Sequence, residues 1–345
     1  IELIEYDYGR DGKHFLHTYT RSEGAMYLPI LRQHLGDNFD FEFEVDKESE
    51  TEDWERSDWE CSERYIRPDY QDYPTKLQLK HPEIWEILCN IDYEETVPVD
   101  EMECIAAIER GELIADLSQL ARYTLRGHYT DDDDYPVRSL FHIVTILNTL
   151  ADSRGLDTLL DIIRVDEYAI DDSFGDMAPR VICSALVACS TGRLADLEAM
   201  LFEPGITWYN RTFILDALEL MYANGDDATK EQIVGIVRRQ LETLPERVNE
   251  LQNADPEYGG FVCSLAMSIG DRSLLPLVKR LYDEDLIDTG VCGKYSEVEK
   301  HYGESRELTQ QLTMTEIYCW AKHFQDPCST DAARYGEPDY EYMWG

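Results

Sequence analysis

Few groupings in this 345-residue chain have the residue types and spacing that chemistry needs. Cys319, His323 and Cys328 supply three potential zinc ligands. Structural zinc takes four, commonly from two paired knuckles, so this set is one short. Four consecutive aspartates at 131–134 offer oxygen to a divalent cation. A calcium loop spaces its ligands, turns at a glycine and ends in a bidentate glutamate. The run does none of this and reads as a solvated loop. Asp171, Asp172 and Asp176 could also gather a cation. Helix N-capping and the helix dipole account for acids at such a place without one. His14 and His17 lie three apart in a strand-like run, which points them to opposite faces. Nucleophile elbows and both glycine-rich phosphate loops are absent. No bound metal, cofactor or catalytic residue is expected.

One grouping points outward instead. Residues 42–60 hold ten acids and two bases, with the near-duplication Asp53, Trp54, Glu55 and Asp58, Trp59, Glu60. A charge run of this kind is usually a solvated linker. Tryptophan, however, is enriched among the few residues that dominate binding interfaces. Trp54, Glu55, Asp58, Trp59 and Glu60 are therefore the candidate partner-binding residues. A spacing of five puts the two tryptophans on opposite faces of a strand, or about 140° apart on a helix. Each would meet a different surface.

Charge sets the kind of partner. The formal net charge is −40, from 71 acidic and 31 basic residues. Such a field discourages direct contact with nucleic acid or anionic membrane and favours a basic protein. An acid excess with few lysines also fits adaptation to high salt. Cysteines stand at 61, 89, 104, 183, 189, 263, 292, 319 and 328, an odd number with no close pair. Cys183, Cys189 and Cys263 fall inside apolar helical patterns, where a thiol acts as a small core residue. A reducing cytoplasm is the simpler reading. No apolar run approaches the roughly 20 residues that cross a bilayer, and no signal peptide is visible at Ile1.

The elements that must position these residues are mostly helices. From Leu140 to Leu281 the chain reads as helix pairs about forty residues apart. The second helix of each pair is expected to start at Leu156, Leu194, Ile233 and Leu274, which are 38, 39 and 41 residues apart. A steady period near forty with two helices per unit is the signature of HEAT-like repeats. Asp176 is the expected N-cap of the helix of Val181, Ile182, Ala185, Leu186 and Cys189, with Pro179 in its first turn. Ala185, Ala217 and Ala266 would let neighbouring helices approach closely. Ahead of the repeats, residues 1–8, 14–20 and 39–45 alternate like strands and residues 24–35 fit a short helix. Pro82 starts a helix from Glu83 to Leu88. The helical array opens near Val99, with Ile105, Ile108, Leu113, Leu117 and Leu120 at helical spacing. Residues 313–324 read as a final helix or a closing strand, and residues 334–345 as a tail over the last repeat.

The order of features over about 155–302 resembles an uncharacterised family of bacterial helical-repeat proteins. The residues carrying the likeness include Asp172, Gly175 and Asp176 ahead of an apolar helix, and Gly192, Arg193 and Leu194. Tyr209, Asn210 and Arg211 also fit, as do Leu281, Tyr282 and Asp288. Members often end in a Cys-rich zinc motif, and no CxC or terminal cysteine pair is present here. The resemblance implies a HEAT-like fold and no activity.

The expected fold is mostly α, a HEAT-like α-solenoid of antiparallel helix pairs with a small N-terminal α/β or irregular acidic segment. Residues 1–46 would form an α/β cap, 47–98 an acidic and aromatic linker with a short helix, 99–310 the repeats, and 311–345 a last element and tail. The leading function is a non-enzymatic scaffold for a protein partner. Two rival classes are an acidic mimic of nucleic acid that blocks a basic protein, and a metal-dependent enzyme.

Overall fold

A computed structural model describes residues 5–8, 14–18, 41–45, 73–89, 104–105, 107–128, 139–247, 256–304 and 311–325. The chain divides into two compact units, Ile1–Arg64 and Tyr65–Gly345.

The first unit holds strands β1 (Glu5–Tyr8), β2 (His14–Thr18) and β3 (Phe41–Val45) in the order β1-β2-β3. β1 and β2 run antiparallel, with Tyr8 opposite His14. β3 lies parallel to β2, with His14 opposite Phe41 and Thr18 opposite Val45. Parallel neighbours need a crossover of a dozen or more residues, and residues 19–40 provide that length. All three strands fall where sequence alternation put them. The short helix expected over residues 24–35 lies outside the described residues.

The second unit is mostly helical. Its helices are α1 (Glu83–Leu88), α2 (Arg110–His128), α3 (Ser139–Leu150), α4 (Leu156–Ile163), α5 (Glu167–Phe174), α6 (Ala178–Cys189) and α7 (Leu194–Phe202). They continue as α8 (Trp208–Asn224), α9 (Asp227–Arg247), α10 (Pro256–Ile269), α11 (Leu275–Asp283), α12 (Thr289–Cys292), α13 (Tyr295–His301) and α14 (Met314–Gln325). In one series α3 packs on α6, α6 on α8, and α8 on α10. In another α2 packs on α4, α7 on α9, α9 on α11, and α11 on α13. The buried stripes of Val181, Leu186, Phe213, Leu218, Val262 and Leu265 form one continuous core between these elements. Ala185, Ala217 and Ala266 are fully buried on α6, α8 and α10, the helices that pack side by side. Cys183, Cys189 and Cys263 are buried as expected. No disulfide joins the described cysteines. Among the described residues no helix is long and apolar enough to cross a membrane.

Local chemistry explains the boundaries. Thr207 opens α8 by accepting from Asn210 N at 3.2 Å, and Asp166 opens α5 by accepting from Ala169 N at 2.9 Å. Pro179 sits in the first turn of α6, where its missing N–H is harmless. Gly270 turns the chain after α10 at φ 71°, and a Cβ there would meet the Gly303 backbone at 2.7 Å. Both the left-handed angle and the close approach demand glycine.

Three expectations need correction. The third second helix begins at Asp227, not Ile233. Asp226 accepts from Thr229 N at 2.8 Å and starts the helix while its first turn, including Ala228, is exposed. Apolar periodicity marks only where α9 reaches the core at Ile233. Asp176 is not the N-cap of α6. It lies in a 3-10 turn, Gly175–Met177, that runs directly into the helix, with Ala178 N bonding Gly175 O. The helical spacing from Ile105 to Leu120 is broken at residues 107–109, and α2 starts at Arg110. There Glu109 accepts from Glu112 N at 2.9 Å and supplies the cap.

The last element is a helix, not a strand. Thr313 and Glu316 bracket its start, Thr313 N donating to Glu316 Oε2 at 2.7 Å and Glu316 N to Thr313 Oγ1 at 3.3 Å. This reciprocal pair is a capping box. α14 packs on α3, the first helix of its series, far back in the chain. Asn148 Nδ2 donates to Leu312 O at 2.7 Å, Leu312 N donates to Ser184 Oγ at 2.9 Å, and Ser184 Oγ donates to Asn148 Oδ1 at 2.9 Å. His142 Nδ1 and the Tyr318 hydroxyl meet at 2.7 Å with the rings stacked.

Candidate functional site

The clearest pattern of polar side chains is a ladder that joins helices well separated in the chain. Arg122 of α2 donates to Asp161 of α4 at 2.8 Å. Arg164, closing α4, grips both oxygens of Glu203 after α7 at 2.6 and 2.9 Å. Arg193, opening α7, reaches back to Asp157 at 2.7 Å and to Ser153 O at 3.0 Å. Arg239 of α9 pairs with Glu198 of α7, and Arg238 donates to Ser273 at 2.6 Å. The partners stand 35 to 41 residues apart in sequence. All are partly exposed, so each pair contributes at most about 1 kcal/mol. Their effect is on register: a planar guanidinium holds two oxygens in one geometry.

Two open grooves follow this ladder. One, of about 320 Å³, lies between α4 and α7 and is lined by Asp157, Asp161, Arg164, Arg193, Asp196 and Glu203 with Leu160, Ala199 and Met200. The other, of about 440 Å³, lies between α7 and α9 and is lined by Glu198, Glu231, Gln232 and Arg239 with Leu194 and Ile236 among its apolar residues. Every arginine in these grooves already holds a carboxylate. A ligand entering them meets surplus acid rather than an available cation.

A second cluster is electrostatic. Asp216 on α8 is half-buried, and its carboxyl is pushed up to about 7 by burial, with repulsion from Glu219 adding to it. The neighbouring Cys183 thiol on α6 is also raised, by burial first and then by these two carboxylates. Burial raises the Tyr209 phenol, and Asp171, Asp176, Glu167 and Asp216 add to it. Asp171 and Asp176, read from sequence as conceivable metal ligands, thus stand around a phenol. Among the described residues no group of three or more His, Cys, Asp or Glu side chains could hold a metal.

The Asp216 shift has a definite sign. The folded protein keeps a proton that the unfolded chain releases above 3.8, the group's ordinary value. Stability is therefore fullest below that value and falls as pH rises towards about 7. Asp216→Asn should flatten this fall and raise Tm by a few degrees above neutrality. Thermal melts from about pH 4 to 8 check it. A variant as pH-sensitive as the parent would refute the assignment.

Other residues singled out in the sequence are placed as follows. His14 and His17 both lie in β2. Cys319 is half-buried on α14, while Cys328 and the His323 side chain lie outside the described residues. The aspartates at 131–134 lie outside them too, as do Trp54, Glu55, Asp58, Trp59 and Glu60. Sequence reading missed the ladder and Asp216. The ladder's signal was an arginine matched to an acid one period away. Asp216 showed itself only as an acid within the apolar run from Phe213 to Leu218.

Compared with known proteins, the chain matches no family model, no curated protein and no solved structure.

Proposed function

We propose that the chain is a non-enzymatic helical-repeat scaffold that presents an acidic surface to a protein partner with a basic surface, in the cytoplasm. The architecture in this reading is a HEAT-like α-solenoid of antiparallel helix pairs, as the resemblance to the bacterial helical-repeat family implies. The observation that carries it is the fate of the cations. Arg122, Arg164, Arg193 and Arg239 are consumed in pairs between successive helices, in a chain with 71 acids. The acid surplus is left for an outside partner, and stacked repeats offer long surfaces for one.

The test uses the full chain against a folded basic protein and a neutral control across a salt series. Affinity for the basic protein should fall at least about tenfold between low and high salt, and the control should not bind. Trp54→Ala combined with Trp59→Ala should weaken binding at unchanged Tm. Salt-independent binding, or none, refutes the reading. One-for-one displacement by duplex DNA from a DNA-binding protein would favour the nucleic-acid mimic instead. A stoichiometric metal found by elemental analysis would favour the enzyme.

A further inference from the structure

Among the described residues, the most buried cation of the helical unit lacks what the exposed ones have. Arg122, Arg154, Arg164, Arg193, Arg239 and Arg280 each reach a carboxylate, and all are partly exposed. Arg211 on α8 is 1% exposed and reaches none. Its Nη2 donates to the Glu203 main-chain carbonyl at 2.7 Å, while its Nε and Nη1 have no partner. The Glu203 carboxylate is engaged by Arg164 through both oxygens. Shortage of acid does not explain this in a chain of formal charge −40.

The neighbours add donors rather than acceptors. The guanidinium lies over the Tyr258 ring of α10, 5.7 Å from its centroid. The Tyr258 hydroxyl donates to Gln240 Oε1 of α9 at 3.0 Å. Gln240 is itself 1% exposed, and its Nε2 has no partner. Two side chains flanking one ring thus hold unmatched N–H groups, one of them carrying a full charge. A bare buried guanidinium carries a large desolvation penalty. The attraction of Glu203 is shared with Arg164. Water could accept those hydrogen bonds but would add no charge. A small anion does both.

We propose that Arg211, with the Gln240 amide, forms an interior binding site for a small monovalent anion such as chloride. One negative charge balances the guanidinium, and the burial of Arg211 and Gln240, each 1% exposed, favours a small ion. The ion is a structural ligand that ties these three helices together. This is independent of the proposed partner and its surface.

The test compares thermal melts of the intact protein in chloride, bromide and gluconate at constant ionic strength. Chloride and bromide should raise Tm saturably, by about 5 °C at a hundred times the dissociation constant. Arg211→Met should abolish the halide response, and Gln240→Leu should weaken the apparent affinity without removing it. Crystals grown in bromide should show anomalous signal in contact with Arg211 Nε or Nη1, which settles the matter even if Arg211→Met fails to fold. Equal melts in all three salts, a response that survives Arg211→Met, or bromide at the surface with only water at Arg211 would each overturn the proposal.

Discussion

Tyr318→Ala is expected to cost about 3–5 kcal/mol of packing and to release α14 before the rest of the fold melts. Tyr318 is fully buried. Its ring lies 5.7 Å from His142 and 5.8 Å, edge-on, from Phe141, and its hydroxyl meets His142 Nδ1. Truncation removes all of these and exposes polar groups that α14 covers. Because α14 packs on α3, the damage can be absorbed by local opening of that contact, which has its own free energy below the global one. Amide exchange should therefore accelerate over residues 311–325 while α8 and α10 keep their protection. Tyr318→Phe keeps the ring and should lose only about 1 kcal/mol. Uniform loss of protection through the whole unit would show that α14 is part of the global core instead.

Gly259→Ala should be at least as damaging, at about 3 kcal/mol or more, the upper range of overpacking. A Cβ on Gly259 would fall 1.9 Å from the carbonyl oxygen of Leu286. Neither side can yield cheaply. Leu286 N is bonded to Leu281 O at 2.9 Å, and Asp288 N to Pro256 O at 2.8 Å, so that loop is fixed to α11 at one end and to α10 at the other. Gly235→Ala is the control of opposite sign. Its Cβ would meet only the end of the Arg239 side chain, at 3.3 Å, inside α9. Alanine is the better helix former, and a gain of about 0.5–1 kcal/mol is expected. Chemical denaturation of the two variants distinguishes them, and equal effects would refute the close approach at Gly259.

Much of the helical frame is legible because burial imposes a period on the chain. Leu156, Leu159, Leu197, Ile233 and Val278 are all buried where the forty-residue spacing put them. Element ends are less legible. The first turn of α9 faces solvent and leaves no apolar mark, so its start is hidden from periodicity. α5 and the 3-10 turn at Gly175–Met177 interrupt the pairing of α4 with α6, and only the cap at Asp166 announces them. The site features are harder still. Whether an arginine meets a carboxylate depends on which helices become neighbours, and the chain states this only through separations of 35 to 41 residues. Arg211 lies between Asn210 and Thr212, and nothing in that run of polar residues says that all three are buried.

The return of residues 311–325 to α3 also has a consequence for synthesis. Leu312 and Asn148 are 164 residues apart, and Tyr318 and His142 are 176 apart. The ribosome makes α3 long before the segment that covers it. A nascent chain paused after α10 therefore lacks Leu312 and Tyr318, which bond Asn148 and His142 in the finished fold. Polar side chains at those positions can be hydrated while they wait, whereas an apolar stripe there would invite the aggregation that threatens partly made folds. The long loop adds little to the entropic cost of closure, which grows only with the logarithm of length. It does fix an order of synthesis: α3 to α13 first, then α14, which packs back on α3.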